Sequence, residues 1–446
     1  MKNIRLKLVS ICAFLLCFQG KAQTLPFNMP EVKEPIFQNE SVNIKDFGAF
    51  GDGQTMNSEA FKKAIDNCAS HGGGTVIIPA GLWLTGPIEM KSNINLHADK
   101  GALVIFSRNH DDYASSTGSK PVSPIHGENL TNIAITGDGI FDGSGDTWRP
   151  VKKVKTTASQ WNDLVSSGGT VKDDTYYPKE RGRMIHNYNR TYMVNFSNCK
   201  TVLLDGPTFQ NSPSFVFCPH NCEDMIVRNI KVLNEWWAQN GDGIDISSGK
   251  NIIIKNCFLN VGDDGICMKS SNSPLHKNGE AGLQNVAISD CVVYHAHGGF
   301  VIGSNTDGGM HNISVNNCNF MYTDVGLRFK SARGRGGLVD NIYVKNIYMK
   351  SIAHEAILFD TYYEKKEKSD VIEKVTERTP KFTDIYIENV FCNGSEQALK
   401  MIGLPEMPIR NIHFSNVKIS AKADDIFLKN TENIDLSGFK YIKETN

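Results

Sequence analysis

Three aspartates in one short stretch have the residue types and the spacing of acid–base groups. Residues 240–270 read NGDGIDISSGKNIIIKNCFLNVGDDGICMKS and contain Asp242, Asp263 and Asp264, each next to a glycine. Asp242 precedes the other two by 21 and 22 residues. If the two segments lie side by side, crowding of like charges raises at least one carboxyl pKa, so that one group can donate a proton while the others stay ionised.

A repeated strand pattern would bring these segments together. Alternating apolar strands recur along the chain, each broken by Asn, Asp or Gly and followed by a second short strand, as in NIIIKNCFL at 251 and NIYVKNIYM at 341. The breaking residues are spaced 24 to 43 residues apart, at Asp205, Asn229, Asn256, Asp290, Asn317, Asn346, Asn389 and Asn416. Short strands with Asn-rich corners at such a period are typical of a parallel β-solenoid, whereas a β-propeller needs about 40 residues per blade.

The predicted fold is therefore all-β, a parallel solenoid that forms a single domain over residues 40–446. Ser58 is expected to cap a helix that ends at Asn67 and closes the first coil, which would otherwise expose strand edges. In a solenoid, coils rise by about 4.8 Å. Carboxylates one coil apart can thus fall within the range of about 5–9.5 Å that glycosidases use. The glycines beside them, such as Gly243 and Gly262, are expected to leave room for a bound chain.

The first residues of the chain predict export. Residues 1–23 have a basic start, an apolar core and a small-residue cleavage region, the features of a signal peptide, and residues 24–39 form an N-terminal extension. Lys and Arg number 47 against 48 Asp and Glu, so the net charge of −1 gives no sign of a nucleic-acid partner. No other segment is apolar enough to span a membrane. We expect a soluble monomer in the periplasm or outside the cell.

Nine cysteines follow the predicted signal peptide, and five of them occupy equivalent places in the repeat. These five each follow Asn or Asp: Cys199, Cys222, Cys257, Cys291 and Cys318. A stack of small buried side chains, one per coil, explains this recurrence better than a disulfide framework, because a free cysteine behaves as a small apolar residue.

Later coils carry groups that fit an anionic ligand. His297 stands ahead of two glycines, and Arg328 and Lys330 are two residues apart, hence on one face of a strand. Cations beside a carboxylate cluster would hold a charged ligand that the acids alone would repel. Each feature also has an ordinary explanation: turn aspartates, a surface histidine, an exposed strand face, or a calcium site made by the clustered acids.

Four motifs in order resemble those of the pectin-degrading glycoside hydrolases of family 28, the polygalacturonases. They are Asn240-Gly-Asp242, Gly262-Asp263-Asp264, His297-Gly298 and Arg328-Phe-Lys330, and the opening NIKDFGAFGDGQTMNSEAFKKAIDNCASHGGGTVIIPAG is also similar. The resemblance implies a right-handed parallel β-helix that hydrolyses the α-1,4 linkages of galacturonan with inversion and needs no metal or other cofactor. Gly241 and Ala296 replace the usual Thr and Gly of two motifs, which affects substrate preference but removes no catalytic group.

The resemblance also implies the roles of individual residues. Asp263 would be the general acid, Asp242 and Asp264 would activate water, and His297 would hold or tune the acid. The groups implied to bind the substrate are Asn240, Arg328, Lys330 and either Tyr362 or Tyr363. The implied partner is an acidic polysaccharide, pectin or its galacturonan oligosaccharides.

Two long segments favour attack at chain ends. Residues 107–131 and 144–190 would be surface loops in the simplest interpretation, but if they close one end of the groove the enzyme would be exo-acting. The alternatives are a calcium-dependent pectate lyase, which shares the fold and the substrate, and a non-catalytic carbohydrate-binding β-solenoid, which would need no set of carboxylates in register.

Overall fold

The computed structural model describes residues 25–115, 121–180, 183–184, 190–271, 278–363, 371–423 and 426–443. Nearly half of them lie in parallel strands that coil around one apolar interior. Successive coils add strands to three sheets, which we call the first, second and third sheets in the order in which the chain enters them. The predicted signal peptide, residues 1–23, lies outside the described residues.

The strands of the solenoid divide among the three sheets. The first sheet contains Ser41–Asn43, Gly74–Ile78, Ile94–Ala98, Thr131–Thr136, Lys200–Asp205, Leu283–Ser289, Lys381–Phe382 and Thr431–Asp435. The second contains Gly81–Thr85, Ala102–Phe106, Ile140–Asp142, Thr208–Gln210, Lys231–Leu233, Phe258–Asn260 and Phe439–Lys443. The third contains Ile88–Glu89, Ile125–Glu128, Val194–Ser197, Ile266–Lys269, Glu355–Asp360, Gln397–Ile402 and Ile426–Lys429. Longer strands bend through corners and belong to more than one sheet: His220–Arg228, Ile244–Lys255, Val292–Ile302, Met310–Lys330, Leu338–Lys350, Ile385–Asn393 and Ile409–Ala421.

Alternating side chains place every second residue in the interior. In the stretch NIIIK, Ile252 and Ile254 are fully buried, while Ile253 faces the outer side of the first sheet. Ile252 pairs with Met225 in the coil before and with Val286 in the coil after. Each coil thus stacks apolar residues on those of its neighbours, and burial of these side chains is the main favourable term in folding.

The predicted corner residues form hydrogen-bonded ladders. Asn256 donates from Nδ2 to Oδ1 of Asn229 at 2.6 Å, and Asn229 donates in the same way to Asp205 at 2.6 Å. Both asparagines have positive φ, 53° and 59°, which turns the chain from one sheet into the next. Asn tolerates this left-handed conformation better than most residues, which explains why it recurs at the corners.

The recurring cysteines are buried and free, as the repeat predicts. All nine cysteines among the described residues are unpaired thiols, and each is buried. Burial raises the pKa of thiols such as Cys267, which suppresses the reactive thiolate. These side chains therefore fill space in the coils and do not cross-link them.

A helix closes the N-terminal end of the interior, but the predicted cap and end were wrong. The helix spans Ser58–Ser70 and buries Phe61, Ile65 and other apolar side chains against the first coil. Asn57, not Ser58, is the residue before its first turn, and the Ser58 hydroxyl instead accepts a hydrogen bond from the backbone of Gly86 at 2.8 Å. Ser58 thus ties the helix to a neighbouring strand.

The second helix spans Ala158–Ser166, and short 3-10 turns span Ile44–Phe47, His110–Tyr113, Gly145–Thr147 and Lys153–Lys155.

Neither of these two helices, in the part of the chain that is described, has the length and apolar character that a bilayer crossing requires. Residues 25–39, within the predicted extension, contain no helix or strand. Val32 and Phe37 pack on the outer face of the first sheet against Ala134, Leu203 and Ile226.

A small folded unit projects from the solenoid where a long loop is predicted. We call residues 144–180 the inserted unit. Its strands Val151–Lys152, Thr170–Lys172 and Thr175–Tyr177 form an antiparallel sheet, and the helix Ala158–Ser166 is capped by Thr157 and Gln160. A two-residue pairing of Lys179–Glu180 with Arg183–Met184 follows. The segment is thus structured and not an extended surface loop.

The other end of the solenoid is the coil formed by Ile426–Lys429, Thr431–Asp435 and Phe439–Lys443. Within the described residues, each of these strands pairs only with the coil before it. Phe427 and Ile442 are exposed on this coil, Ile442 to 62%. In the part of the chain that the structure describes, this coil therefore presents open strand edges.

The corner ladders generate a stability prediction at Asn285. Its Nδ2 donates to Asn251 at 3.1 Å, its Oδ1 accepts from Asn312 at 3.0 Å, and its φ is 56°. Asn285→Ala removes both bonds and places a Cβ-bearing residue without a compensating side chain in the left-handed region, so we expect a loss of about 2–4 kcal/mol in denaturant unfolding. Asn285→Gly removes the bonds but relieves the strain and should cost less. Equal losses for the two variants would contradict this account.

Candidate active site

Strand register places Asp242 and Asp264 at the same position in adjacent coils. Ile244 pairs with Ile266 in the third sheet, and each aspartate lies two residues before its isoleucine. The backbone N–H of Gly243 donates to the carbonyl of Asp264 at 2.9 Å, which extends this register past the strand ends. The spacing of 22 residues is therefore one coil without an insertion, as the sequence predicts.

A turn brings Asp263 into the same group. Residues 261–265 lie outside the strands, and the Asp264 N–H donates to Oδ1 of Asp263 at 3.0 Å. The backbone of His297 in the next coil donates to the Asp263 carbonyl at 2.9 Å. One carboxylate oxygen from each of Asp242, Asp263 and Asp264 lies within 4.8 Å of the others. Adjacent residues of a strand point to opposite faces. Because Asp263 and Asp264 lie in a turn and not in a strand, both carboxylates can join the same group.

The prediction that the flanking glycines leave room for a bound chain was wrong for two of them. A Cβ on Gly262 would lie 2.5 Å from the carbonyl oxygen of Ala238, and one on Gly243 would lie 2.5 Å from a methyl carbon of Leu259. Both glycines therefore permit close packing of adjacent coils. Their effect on the site is indirect, because this packing sets the distance between the aspartates.

Asp264 is held as an anion by two cations. Its Oδ2 accepts from Nζ of Lys330 at 2.6 Å and its Oδ1 from Nη1 of Arg328 at 3.2 Å. Burial alone would raise the pKa of Asp264, but the charges of Lys330, Arg328 and Lys269 outweigh it and hold the pKa below its ordinary value. Asp264 is therefore ionised wherever the protein is folded at ordinary pH.

Asp242 has the opposite electrostatic environment. Burial, together with the charges of Asp245 and Asp263, raises its pKa well above the ordinary value, although Lys269 opposes the shift. Nζ of Lys269 lies 3.7 Å from Asp242 and 2.6 Å from Asp245, so the lysine binds Asp245 more closely. Among the described residues, Oδ1 of Asp242 has no hydrogen-bond partner. This buried oxygen is free to accept a proton from a bound water or substrate.

Asp263 is the most exposed of the three acids. Its side chain is 18% exposed, against 5% for Asp242 and 3% for Asp264. The His297 ring lies between two carboxylates, with Nδ1 3.7 Å from Asp263 and Nε2 3.5 Å from Asp324. Of the three acids, Asp263 is therefore the one that a ligand on the surface can reach most directly.

The two candidate tyrosines differ in position. The ring of Tyr363 lies 5.0 Å from Nζ of Lys330 and 5.7 Å from the guanidinium of Arg328. Tyr362 is 3% exposed and packs with Ile402 and Leu404 in a separate apolar cluster. The structure thus places Tyr363, and not Tyr362, beside the charged cluster.

Asn240 lies at the rim of the site, and its side chain is hydrogen-bonded to Arg190. Its φ is 53°, and its Oδ1 accepts from Nη2 of Arg190 at 2.7 Å. Arg190 also donates to the backbone of Gln239 at 2.6 Å, so this arginine fixes the turn that precedes Asp242. Burial lowers the pKa of Arg190 to about 10, and it remains a cation.

Sequence reasoning missed several charged residues of the site: Lys155, Arg190, Asp245, Lys269 and Asp324. Alternation could have identified one of them, because Asp245 pairs with Cys267 and Lys269 follows two residues later on the same face. Arg190 and Lys155 carry no such signal, since both lie outside the repeated strands.

The contrasting environments of Asp242 and Asp264 generate paired predictions for unfolding. Asp264→Asn should destabilise the protein at neutral pH by about 3–5 kcal/mol, because it leaves the buried charge of Lys330 unpaired. The ion pair stabilises the fold fully above the unfolded aspartate pKa of about 3.9, so this loss should shrink only as the pH falls below that value.

Asp242→Asn should raise the stability at neutral pH, because it removes a buried carboxylate whose ionisation folding disfavours. The folded pKa of Asp242 lies above the unfolded one, so the gain should vanish as the pH falls to about 3.9. Denaturant unfolding of both variants at neutral and acidic pH measures the two effects. Destabilisation of equal size in both variants at neutral pH would contradict the assigned environments.

Comparison with known proteins agrees with this geometry. Residues 68–434 match the model of "Glycosyl hydrolases family 28". The chain is 28% identical over 412 residues to an exo-poly-alpha-D-galacturonosidase of Dickeya chrysanthemi, covering 85% of this chain and 67% of that one. It is 28% identical over 345 residues to an endo-polygalacturonase of Pectobacterium carotovorum subsp. carotovorum, covering 75% and 77%.

A solved structure agrees as well. A hyperthermoactive exopolygalacturonase from Thermotoga maritima superposes with a TM-score of 0.72 at 29% identity, covering 87% of this chain and 89% of that one. The fold of the present chain is thus a right-handed parallel β-helix, as predicted. The family model matches most of this chain, and the aspartates lie in register in adjacent coils. The chain therefore belongs to glycosyl hydrolase family 28 and is a glycoside hydrolase.

Proposed function

We propose that this protein is a polygalacturonase that hydrolyses α-1,4 linkages between galacturonate units of pectin, preferentially from chain ends. The observation that carries the proposal is the site itself, in which three carboxylate oxygens lie within 4.8 Å of one another beside Arg328 and Lys330. Acids of this kind suit glycoside cleavage, and the cations suit an anionic sugar. The relatives named above act on the same class of polymer.

Asp263 is the general acid in this proposal. It is the most exposed of the three carboxyl groups, so it can reach the oxygen of a bound glycosidic linkage. Transfer of its proton to that oxygen lets the departing sugar leave as an alcohol. His297, between Asp263 and Asp324, orients the acid.

Asp242 and Asp264 activate the attacking water. The lowered pKa of Asp264 keeps it ionised, and the raised pKa of Asp242 makes it the stronger base of the two once it is deprotonated. The unpartnered Oδ1 of Asp242 can take the proton that the water loses as its oxygen bonds to the anomeric carbon. Asp242 then releases this proton to solvent and Asp263 takes one up, so that both groups return to their starting states.

Arg328, Lys330 and Tyr363 bind the galacturonate carboxylate at the cleavage site. Both cations contact Asp264, but they have donors to spare. Nε of Arg328 has no hydrogen-bond partner among the described residues, and the Lys330 ammonium has three donors. The ring of Tyr363 covers the same cations and can support the sugar. Asn240, tied to Arg190, borders this region.

A calcium-dependent lyase is the main alternative reaction, because the three acids lie close enough to hold a metal ion. Calcium takes about six to eight oxygen ligands, which include carboxylates, carbonyls and waters. Here Lys269, Arg328 and Lys330 already neutralise the cluster, which favours hydrolysis without a metal. A binding solenoid would have no need for buried acids at this cost in desolvation.

Exo action is supported by the inserted unit, whose Lys155 contacts the turn of Asp263, and by the exopolygalacturonase structure named above; the curated relatives include an exo-acting and an endo-acting enzyme at equal identity and do not favour either. Export through residues 1–23 and action as a monomer complete the proposal. The acidic polysaccharide is the only partner it requires.

Digestion of polygalacturonate in the presence of a chelator tests the proposed reaction. We expect saturated galacturonate as the first product, because ends are attacked and no metal is used. Asp263→Asn should lower the turnover by roughly 10²–10⁴-fold, the usual contribution of a general acid. Products are separated by size and measured for ultraviolet absorbance from a double bond.

Each other outcome has a defined meaning. Mixed oligomers at early times would show endo action and would leave hydrolysis standing. Unsaturated products, or loss of activity with chelator, would show a lyase. Binding without any cleavage in the wild type would favour the non-catalytic solenoid.

The stereochemistry of cleavage is a separate prediction. We expect the β-anomer of galacturonate to form first from the α-linkage, with the α-anomer appearing later by mutarotation, because water and leaving group occupy opposite faces of the sugar. Proton NMR of the anomeric signals in the first minutes of the reaction measures this. In most inverting glycosidases the carboxyl groups are about 6.5–9.5 Å apart, whereas the nearest oxygens here lie within 4.8 Å. This short distance is the reason for the test: initial formation of the α-anomer would show retention and would contradict the assignment of Asp242 and Asp264 to water activation.

A further inference from the structure

The inserted unit carries one lysine to the acid cluster. The unit is anchored at its base by Trp148, which stacks on His110 with ring centroids 3.5 Å apart, and by Arg149, whose side chain is fully buried. Arg149 donates to the carbonyl of Ser212 at 2.8 Å and pairs with Glu235 at 2.5 Å. These contacts fix the start of the unit against the solenoid, close to the turn that precedes Asp242.

Lys155 is the last residue of the 3-10 turn Lys153–Lys155 in the inserted unit. Its side chain extends over the turn that holds Asp263, the proposed general acid. Its Nζ lies 3.4 Å from the carbonyl oxygen of Gly262, the residue before Asp263. Burial lowers the pKa of Lys155, and the charges of Asp263 and Asp324 oppose that shift. The ammonium is therefore partly removed from water and lies within the electrostatic range of both carboxylates.

This ammonium has donors to offer. Among the residues that the structure describes, its contact with Gly262 is a single long hydrogen bond, and Lys155 forms no direct ion pair there. A lysine ammonium has three donors. A cation that is partly desolvated but not paired favours an anion from outside the chain, since a carboxylate would supply both the charge and the acceptors.

We propose that Lys155 is a substrate-binding residue that holds the carboxylate of a second galacturonate unit next to the scissile bond. The inference rests on the proposed function. Arg328 and Lys330 bind one sugar carboxylate through the third sheet, and Lys155 binds the neighbouring one from the inserted unit. The charge of Asp263 acts on both Lys155 and Arg328, and Lys155 contacts the backbone carbonyl of Gly262, the residue before Asp263.

Two such cation sites define the substrate more narrowly than pectin as a whole. A methyl ester removes the charge of a galacturonate unit and one of its strong acceptors. The enzyme should then require free carboxylates on both units that flank the bond. It would act on galacturonan only after an esterase reaction had removed the methyl groups there.

Steady-state kinetics of Lys155→Met tests this inference on trigalacturonate and on its methyl-esterified form. Methionine keeps the length of the side chain and removes the charge. We expect KM for trigalacturonate to rise about 10- to 100-fold with kcat changed by only a few fold, because a charged hydrogen bond to the bound substrate is lost. The ratio of kcat/KM for free over esterified substrate should fall by a similar factor.

Two further variants serve as controls. Lys153→Met changes a lysine of the same turn whose side chain is 55% exposed and lies 3.7 Å from Asp174, and it should behave as the wild type. Lys155→Arg keeps the charge and should retain most of the affinity. Its behaviour decides the question if the methionine variant does not fold.

The outcomes separate the two proposals. A wild type that cleaves neither substrate refutes the proposed function. An active wild type with an unchanged KM in Lys155→Met refutes only the role of Lys155. A fall in kcat at unchanged KM would also refute it, since the lysine would then act on Asp263 and not on the substrate. Loss of affinity in Lys155→Arg as large as in Lys155→Met would show that charge is not what the substrate needs.

Discussion

The active site depends on an unbroken coil of 22 residues between Ile244 and Ile266. Parallel pairing fixes these strands side by side, and the turns before them must follow the same register. Asp242 and Asp264 are thus stacked at close range, whatever their mutual repulsion. Most other charged residues of the site are cations or hydrogen-bonding groups that compensate the charge of these stacked carboxylates.

The charge compensation differs between Asp264 and Asp242. On one side, Lys330 and Arg328 from later coils compensate Asp264, so that it remains an anion in a buried place. On the other side, Lys269 is shared between Asp242 and Asp245, and Asp242 retains a high proton affinity. Two chemically identical side chains thereby acquire different proton affinities, so that of the two only Asp242 is suited to take up a proton. The apolar coils on either side supply the stability that such buried charges cost.

The sequence predicted what the repeat controls. Strand alternation, the asparagine corners and the buried cysteines all follow from one period, and the period also places Asp242 beside Asp264 and His297 beside Asp263. It could not predict the position of Lys155, because the inserted unit docks through Trp148 and Arg149, whose partners are remote in sequence and outside the repeat. The roles of Gly243 and Gly262 were misjudged for a related reason. From the sequence alone, a glycine that leaves space for a ligand cannot be distinguished from one that allows a neighbouring coil to pack closely. The distinction requires the positions of the neighbouring atoms.

The two ends of the solenoid are protected by different physical means. The helix Ser58–Ser70 closes the first coil by apolar packing. Within the described residues, the last coil keeps open strand edges, with Ile442 exposed and with Lys440 and Lys443 on its final strand. An open edge can accept a strand from another molecule, and like charges oppose that addition. Salt screens charges beyond about 8 Å at physiological ionic strength but does not weaken apolar packing, so ionic strength acts on the charged strand edge of the last coil and leaves the helix-capped first coil unaffected.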